Sequence, residues 1–467
     1  MIETRIEGAG YVAGKSVLRQ VELNASEGEV ILVAGPSGSG KTSYFLAATG
    51  VMSNLLGGWV DGVVKLGKIN PLEPSGFLNV PRIVGVVLQD PEKQIAMPTP
   101  YDEIAFTLEN IGFKGALERR VREILDRFGL FNKAFNSIED LSGGEKRRVT
   151  LAAAIVHDPE ILLLDEPTAS LDPWAVRSVR EFVAENKSRG KAVIVIEHKA
   201  RFFLDLADRV VVMSDGKVVE VLDTQAKAGR SLFKLEDMGV DVGISSSVAS
   251  RTSQVGCRGE LVRARDVDAG YGGFGVVTIE DLEICRGEVV ALVGPNGSGK
   301  TTVLKTLAGL LKPIRGRVDR RGRAFYVPQT PDYTFVHTSA AKEVEEALSR
   351  APELAGIAKG VGLDVWREVP PYRLSHGQRR WLSILIALSY RPDVLLLDEP
   401  TTGLDLKAYK GLVDILREAS MRSALVISTH DVRVVKDLAD RVYITSEGRL
   451  LEVDPAKAVA VLEEAWR

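Results

Sequence analysis

The chain has 467 residues, 45% apolar and 26% charged, and its 60 Lys and Arg against 63 Asp and Glu leave a net charge of −3. At roughly 100–200 residues per domain, this length corresponds to about two to four domains. The balanced charge argues against a dedicated coat for duplex DNA or RNA, which needs surplus cations to displace counterions, so no nucleic-acid partner is expected. No apolar run approaches the ~18 residues that cross a bilayer. Met1-Ile2-Glu3-Thr4-Arg5 lacks the basic-then-apolar order of a secretory signal. Cys257 and Cys285 are too few for a disulfide framework or a Cys-rich zinc site and read as incidental. A cytosolic protein, or one on the cytosolic face of something larger, is expected.

In chain order, the first marked element is an apolar strand running into Gly35-Pro36-Ser37-Gly38-Ser39-Gly40-Lys41-Thr42-Ser43. Glycine, four residues, then Gly-Lys-Thr is a phosphate-loop pattern. The glycines let backbone N–H groups converge on phosphate oxygens at a helix start, where the dipole also favours anions. Lys41 is expected to reach the β- and γ-phosphates of a nucleotide, and Thr42 to hold Mg²⁺. Tyr11, 30 residues earlier, is a candidate platform for adenine or an ordinary core aromatic. Residues 51–81, punctuated by Gly and Pro, read as short strands and turns. Gln89 is a candidate ligand of Mg²⁺ or water.

Ser142-Gly143-Gly144 opens a helix expected over 145–156, its serine either an N-cap or part of a second anion site. The apolar run 161–164 ends in Asp165, where a buried parallel strand places a carboxylate that holds Mg²⁺ through water. Glu166 points to the other side, toward the place of an attacking water. A further apolar strand, 192–196, leads to His198, a candidate donor to a γ-phosphate or orienter of water.

Residues 229–258, with Gly, Ser and mixed charge, read as a linker. The pattern then recurs. Tyr271 precedes Gly294-Pro295-Asn296-Gly297-Ser298-Gly299-Lys300-Thr301-Thr302. Gln329 follows, then Ser375-His376-Gly377 before a helix over 378–389, Asp398-Glu399 after the run 394–397, and His430 after the strand 424–428. Each is assigned the role of its counterpart: Thr301, Gln329 and Asp398 to Mg²⁺, and Glu399 and His430 to catalysis. Ser142 to Ser375 and Asp165 to Asp398 both span 233 positions, whereas Lys41 to Lys300 spans 259. The halves match at the back. The first carries 19 extra residues within 51–81 and 7 more between its glutamine and serine. The constant 23 positions from serine to aspartate favour phosphate binding over capping alone. Apolar strands alternating with helical patterns predict an α/β fold with mainly parallel sheets. The expected layout is a nucleotide-binding domain over 1–228, a linker over 229–258 and a second such domain over 259–467.

Taken together, these motifs resemble the ATP-binding cassette ATPases, and the resemblance covers both halves. It implies two tandem phosphate-loop NTPase domains, each a mainly parallel core with an antiparallel β subdomain and a helical signature subdomain. It also implies ATP and Mg²⁺ as cofactors and head-to-tail closure of the cassettes. Lys41, Asp165, Glu166 and His198 would then face Ser375 and Gly377, and Lys300, Asp398, Glu399 and His430 would face Ser142 and Gly144. The fused chain would supply an intramolecular pseudo-dimer. His376 departs from the pattern by replacing the first signature glycine; both sites are nevertheless expected to be competent.

Gln89-Asp90-Pro91-Glu92-Lys93-Gln94, with Asp102-Glu103-Ile104-Ala105-Phe106 beyond it and Glu197-His198, is similar to the ATPases of energy-coupling factor transporters. That resemblance implies the motor of an importer for a vitamin or transition-metal ion. Its partners would be a transmembrane coupling component and a solute-binding membrane component, and its place peripheral, on the cytoplasmic face of the membrane. Glu103 and Glu343 are either acidic contacts to such a partner or solvated helix faces. The alternatives are a soluble fused-cassette ATPase acting on ribosomes and a sugar-type importer ATPase.

Overall fold

A computed structural model describes residues 1–169, 171–224, 229–243, 259–363 and 368–467. The chain forms two compact units, one of Met1–Leu171 with Ala175–Ile244, the other of Ser245–Arg467 with Asp172–Trp174.

In the first unit, runs of consecutive apolar residues form strands buried on both faces, as parallel strands covered by helices must be. Val30–Ala34, Ile161–Asp165 and Ala192–Ile196 are buried at every position. They lie in a six-stranded sheet of spatial order Val84–Val87, Ile161–Asp165, Ala192–Ile196, Val30–Ala34, Arg209–Ser214, Lys217–Asp223. Every neighbouring pair is parallel except the last, a hairpin. The central three strands end at the same edge, and the phosphate loop, Asp165 and His198 all sit there. A separate antiparallel sheet holds Leu18–Ala25, Ile2–Gly10 and Trp59–Leu66. The helices Pro100–Asn110, Leu117–Arg127 and Gly143–Ile155 make up the helical part. Leu117–Arg127 is amphipathic, burying Val121, Ile124 and Leu125 and leaving Arg119, Arg122 and Arg127 outside.

The second unit repeats this plan with one change. Its parallel strands, Ala324–Val327, Val394–Asp398, Ala424–Thr429, Val289–Val293 and Arg441–Ser446, continue through Arg449–Val453 into the antiparallel strands Phe274–Cys285, Glu260–Tyr271 and Arg315–Arg320. One nine-stranded sheet results, joined where Thr278 pairs with Arg449. In the first unit the matching junction holds the bond from Arg19 N to Gly216 O, 2.8 Å, and the sheets remain two. The expected α/β architecture is present in both units.

The segment expected to hold only short strands and turns contains one eight-residue strand, Trp59–Leu66, and the short helices Val51–Asn54, Pro74–Phe77 and Val80–Ile83. Proline at the first or second helical position, as in the last two of these, starts a helix as readily as it marks a turn. The missing residues between Gln329 and Ser375 shorten a helix: Ala355–Gly360 has six residues where Leu117–Arg127 has 11. Within the expected linker, Gly229–Asp237 is helical and groups with the first unit; residues 244–258, with Cys257, lie outside the described residues. Cys285 is disulfide-bonded, which corrects its reading as incidental.

His157, just past the helix Gly143–Ile155, is held down to about 4 by burial, reinforced by the charge of Lys191. The unfolded chain takes up this proton near pH 6.5 and the folded chain resists until about 4, so protons favour unfolding throughout that window. Stability is expected to fall as the pH drops from 7 to 5, with His157 contributing up to about 2 kcal/mol of the loss. Denaturant titrations of wild type and His157→Gln at both pH values should show a smaller loss for the variant.

Candidate nucleotide sites

Each phosphate loop leaves its strand through a glycine that no other residue can replace. A Cβ on Gly35 would sit 2.1 Å from the Met213 carbonyl oxygen, and one on Gly294 2.1 Å from Thr445 Oγ1. Gly38 and Gly297 have φ of 77° and 79°, and Gly40 and Gly299 both have φ of 101°, a region open to glycine at little cost. The loops therefore close tightly ahead of the helices Lys41–Ala48 and Lys300–Ala308, whose N-caps make no side-chain hydrogen bond. That leaves the first-turn N–H groups for a ligand, at a helix end carrying about half a positive charge.

Lys41 Nζ donates to the carbonyls of Gly35 and Pro36 at 2.8 and 2.9 Å and to Ser39 Oγ at 3.3 Å. Lys300 Nζ does the same to Gly294 and Pro295 at 2.8 and 3.1 Å. Both ammonium groups are buried, 4% and 6% exposed, and aimed across the loop.

The strand-end carboxylates differ between the units. Asp165 is pushed up to about 6 by burial and by the charge of Glu166, against a hydrogen bond from Thr42 and the charge of Lys41; its Oδ1 is buried without a hydrogen-bond partner. Asp398 accepts three hydroxyls, Thr301 and Tyr326 on Oδ2 at 2.8 and 2.9 Å and Ser428 on Oδ1 at 2.5 Å.

Glu166 and Glu399 have left-handed backbones, φ 45° and 44°. Their N–H groups donate to Ile196 O at 2.8 Å and Ser428 O at 3.1 Å, which turns the chain off the strand and projects the carboxylates. His198 Nε2 lies 2.8 Å from Glu166 Oε1, and Gln89 Nε2 donates to Oε2 at 2.6 Å. Burial works to raise Glu166, but the hydrogen bond and charge of His198 outweigh it and hold the carboxyl below its usual range. In the second unit His430 Nδ1 is 3.0 Å and Lys300 Nζ 3.4 Å from Glu399. Fully buried, Glu399 would rise; the charges of His430 and Lys300 bring it instead to about 2. Both histidines thus face the glutamate, whereas the sequence reading aimed them at phosphate or water.

A cleft of about 400 Å³ in the second unit is lined by Tyr271, Asn296, Gly297, Lys300, Gln329 and Glu399. Residues spread over nearly 130 positions meet in it, Thr301 and Thr302 among them. In the first unit Tyr11 is exposed and its hydroxyl lies 3.0 Å from Ser43 Oγ.

Ser142 and Ser375 each complete a capping box. Ser142 Oγ accepts from Glu145 N at 3.3 Å while Glu145 returns a bond to Ser142 N at 2.9 Å, and Ser375 pairs with Gln378 at the same distances. Capping is thus established for both serines. Open space around Gly143 and Gly144 leaves the first helix start accessible. Gly377 is tighter, since its Cβ would be 3.2 Å from Ala408. His376 packs its ring on Gly403, and burial together with the charges of Arg380 and Arg379 holds its pKa down.

Four further residues were not singled out as buried participants. Arg147 donates to the carbonyls of Leu88 and Gln89 at 2.6 and 2.5 Å, and Arg380 to those of Pro328, at 2.8 Å, and Gln329. Both arginines come five positions after the signature serine, so the repeat carried the signal. Glu103 accepts from Ala96 N and Met97 N, both at 2.9 Å, and Glu343 from Val336 N and His337 N, both at 2.5 Å. Neither is a solvated face: at 6% and 4% exposed, they close the loop that follows each glutamine.

The family model described as ABC transporter matches residues 18–169 and 279–402. A putative ABC transporter ATP-binding protein of Methanosarcina mazei is 31% identical, over 97% of this chain and 94% of its own length. The putative HMP/thiamine import ATP-binding protein YkoD of Bacillus subtilis is 28% identical, over 95% and 89%. Among solved structures, the RNase-L inhibitor is 23% identical with a TM-score of 0.74, covering 98% of this chain and 93% of that one. The aABCE1 chain solved with the archaeal ribosomal stalk protein aP1 is 22% identical with a TM-score of 0.73, over 98% and 92%. These structural likenesses concern the fold.

Removing Arg147 would take the guanidinium partner from two backbone carbonyls, those of Leu88 and Gln89. Arg147→Met is expected to cost about 3 kcal/mol of stability, measured by denaturant unfolding, whereas the same change at Arg119, on the surface, should cost under about 1 kcal/mol.

Proposed function

Because the chain belongs to the ABC transporter family, whose cassettes bind ATP and act as ATPases, we propose that it is the motor subunit of a membrane importer of the energy-coupling factor type, carrying a vitamin or transition-metal ion. The observation that carries this reading is the duplicated catalytic geometry. In each half a left-handed glutamate stands beside a strand-end aspartate, a phosphate loop and a histidine.

The residues fit their proposed ligands. Gly38 and Gly297 leave open space over the loops, and the orphaned Asp165 Oδ1 is a vacant acceptor for a cation or its water. Residues 35–43 and 294–302 would hold the ATP phosphates, with Tyr11 and Tyr271 against adenine. Thr42, Gln89 and Asp165, and Thr301, Gln329 and Asp398, would hold Mg²⁺, which neutralises phosphate charge when bound. Glu166 and Glu399 would orient water and take its proton, His198 and His430 holding them in place. Phosphate would compete with Glu399 for Lys300, so that substrate binding itself would make this carboxylate more basic. Ser142 and Gly144, and Ser375 and Gly377, are proposed to complete the ATP sites of the opposite cassette, so that ATP closes the halves and hydrolysis reopens them.

Two features support a membrane partner. The stretch Gln89–Gln94 that resembles the importer ATPases is tied back onto the core, with Gln94 accepting from Leu88 N at 2.8 Å and donating to Val86 O at 2.9 Å. Beside it lies a mainly apolar groove of about 410 Å³ lined by Phe45, Phe77, Val80, Leu88, Glu103 and His157, suited to a short helix of a membrane-spanning subunit. Among the described residues no helix is long and apolar enough to cross a membrane, so such a motor would need partners that do.

Glu166→Gln and Glu399→Gln are each expected to lower ATP turnover by about 10²-fold or more while ATP binding persists. Turnover abolished by only one of the changes would show that the two sites are unequal in catalysis. Membrane subunits co-purifying with the chain after detergent extraction are the expected result; ribosomes in their place would favour a role in translation.

A further inference from the structure

The two metal carboxylates occupy equivalent strand ends but meet different donors. An ionised carboxylate offers about four lone-pair sites. Asp398 has committed three of them, to Thr301, Tyr326 and Ser428. Two of these donors are absent from the first unit. Tyr326 pairs with Leu396, two residues before Asp398, and the residue pairing with Leu163, two before Asp165, is Val86. Ser428 pairs with Asp398 itself, where Ile196 pairs with Asp165. Neither Val86 nor Ile196 has a side-chain donor, and Asp165 Oδ1 remains buried with nothing bonded to it.

We propose that Tyr326 is a positioning residue that makes Asp398 a nearly saturated acceptor, so that the second unit binds the divalent cation of Mg²⁺–ATP more weakly than the first. This rests on the Mg²⁺ assignment above. Tyr326 fixes the carboxylate by sharing Oδ2 with Thr301, and a cation or its coordinated water must displace or share that hydroxyl. In the first unit the vacant Oδ1 gains a partner when the cation arrives, with no bond given up. Tyr326 thus acts through Asp398 and need not touch nucleotide.

The test is a titration with Mn²⁺, followed by the free-ion paramagnetic resonance signal, of wild type, Tyr326→Phe and Ser428→Ala saturated with a non-hydrolysable ATP analogue. Wild type should show a tight and a weak class of Mn²⁺ about tenfold apart, the worth of one hydrogen bond to a charged group. In Tyr326→Phe the weak class should tighten until the two lie within about threefold, and Ser428→Ala should move it the same way. Analogue affinity in EDTA should be unchanged in both variants, a readout that general loosening of the fold would shift. Equal classes in wild type, or a weak class unmoved in both variants, would overturn the inference while leaving the Mg²⁺ assignment standing. No nucleotide-dependent Mn²⁺ binding at all would overturn both.

Discussion

A guanidinium buried at each signature helix ties that helix to the loop carrying the glutamine. Arg147 and Arg380 are 2% and 0% exposed, and burial lowers both to about 10 against the charges of nearby carboxylates. They remain cations at neutral pH, and each spends its charge on two successive backbone carbonyls at the end of an edge strand. Buried charges are tolerated only when they are so satisfied. The helix cannot shift without dragging the glutamine, and the glutamine cannot move without exposing an unpaired arginine. In the first unit the chain of contacts runs on from Gln89 to Glu166 and from Glu166 to His198. The signature helix and the candidate water site are thus coupled by polar contacts fixed in place before any ligand arrives.

The loop beyond the glutamine is closed by the same economy. Glu103 and Glu343 each turn two backbone N–H groups inward, so a segment with little regular structure keeps its shape. Both also stand in the first turn of a helix, where a negative charge is favoured.

The phosphate loops, the strands that carry Asp165 and Asp398 and the helix starts at Ser142 and Ser375 were legible from local pattern, because glycine spacing, apolar runs and capping are short-range signals. The burial of Glu103, Glu343, Arg147 and Arg380 was not, since each depends on where a distant backbone passes. A glutamate in a helix looks the same whether it faces water or a loop. Tyr326 was invisible for the same reason: its partner, Asp398, is 72 positions away. The repeat nevertheless held part of this information. Comparing the halves position by position pairs Arg147 with Arg380 and sets Val86 against Tyr326, which separates what both units need from what one has changed. Tyr326 and Ser428 mark where the second unit differs from the first in the chemistry around its carboxylate.

The left-handed glutamates carry a consequence of another kind. A non-glycine residue in that region costs on the order of 1 kcal/mol or more, and neither Glu166 nor Glu399 gains a better local conformation in return. Asparagine or glycine would sit there more comfortably. Selection of this chain for heat resistance alone would therefore push those two positions toward residues that relax the backbone and discard the carboxylate. On the proposed roles of these carboxylates, a sturdier and inert protein would lie one substitution away at each site, and glutamate would stay there only while turnover is what is being selected.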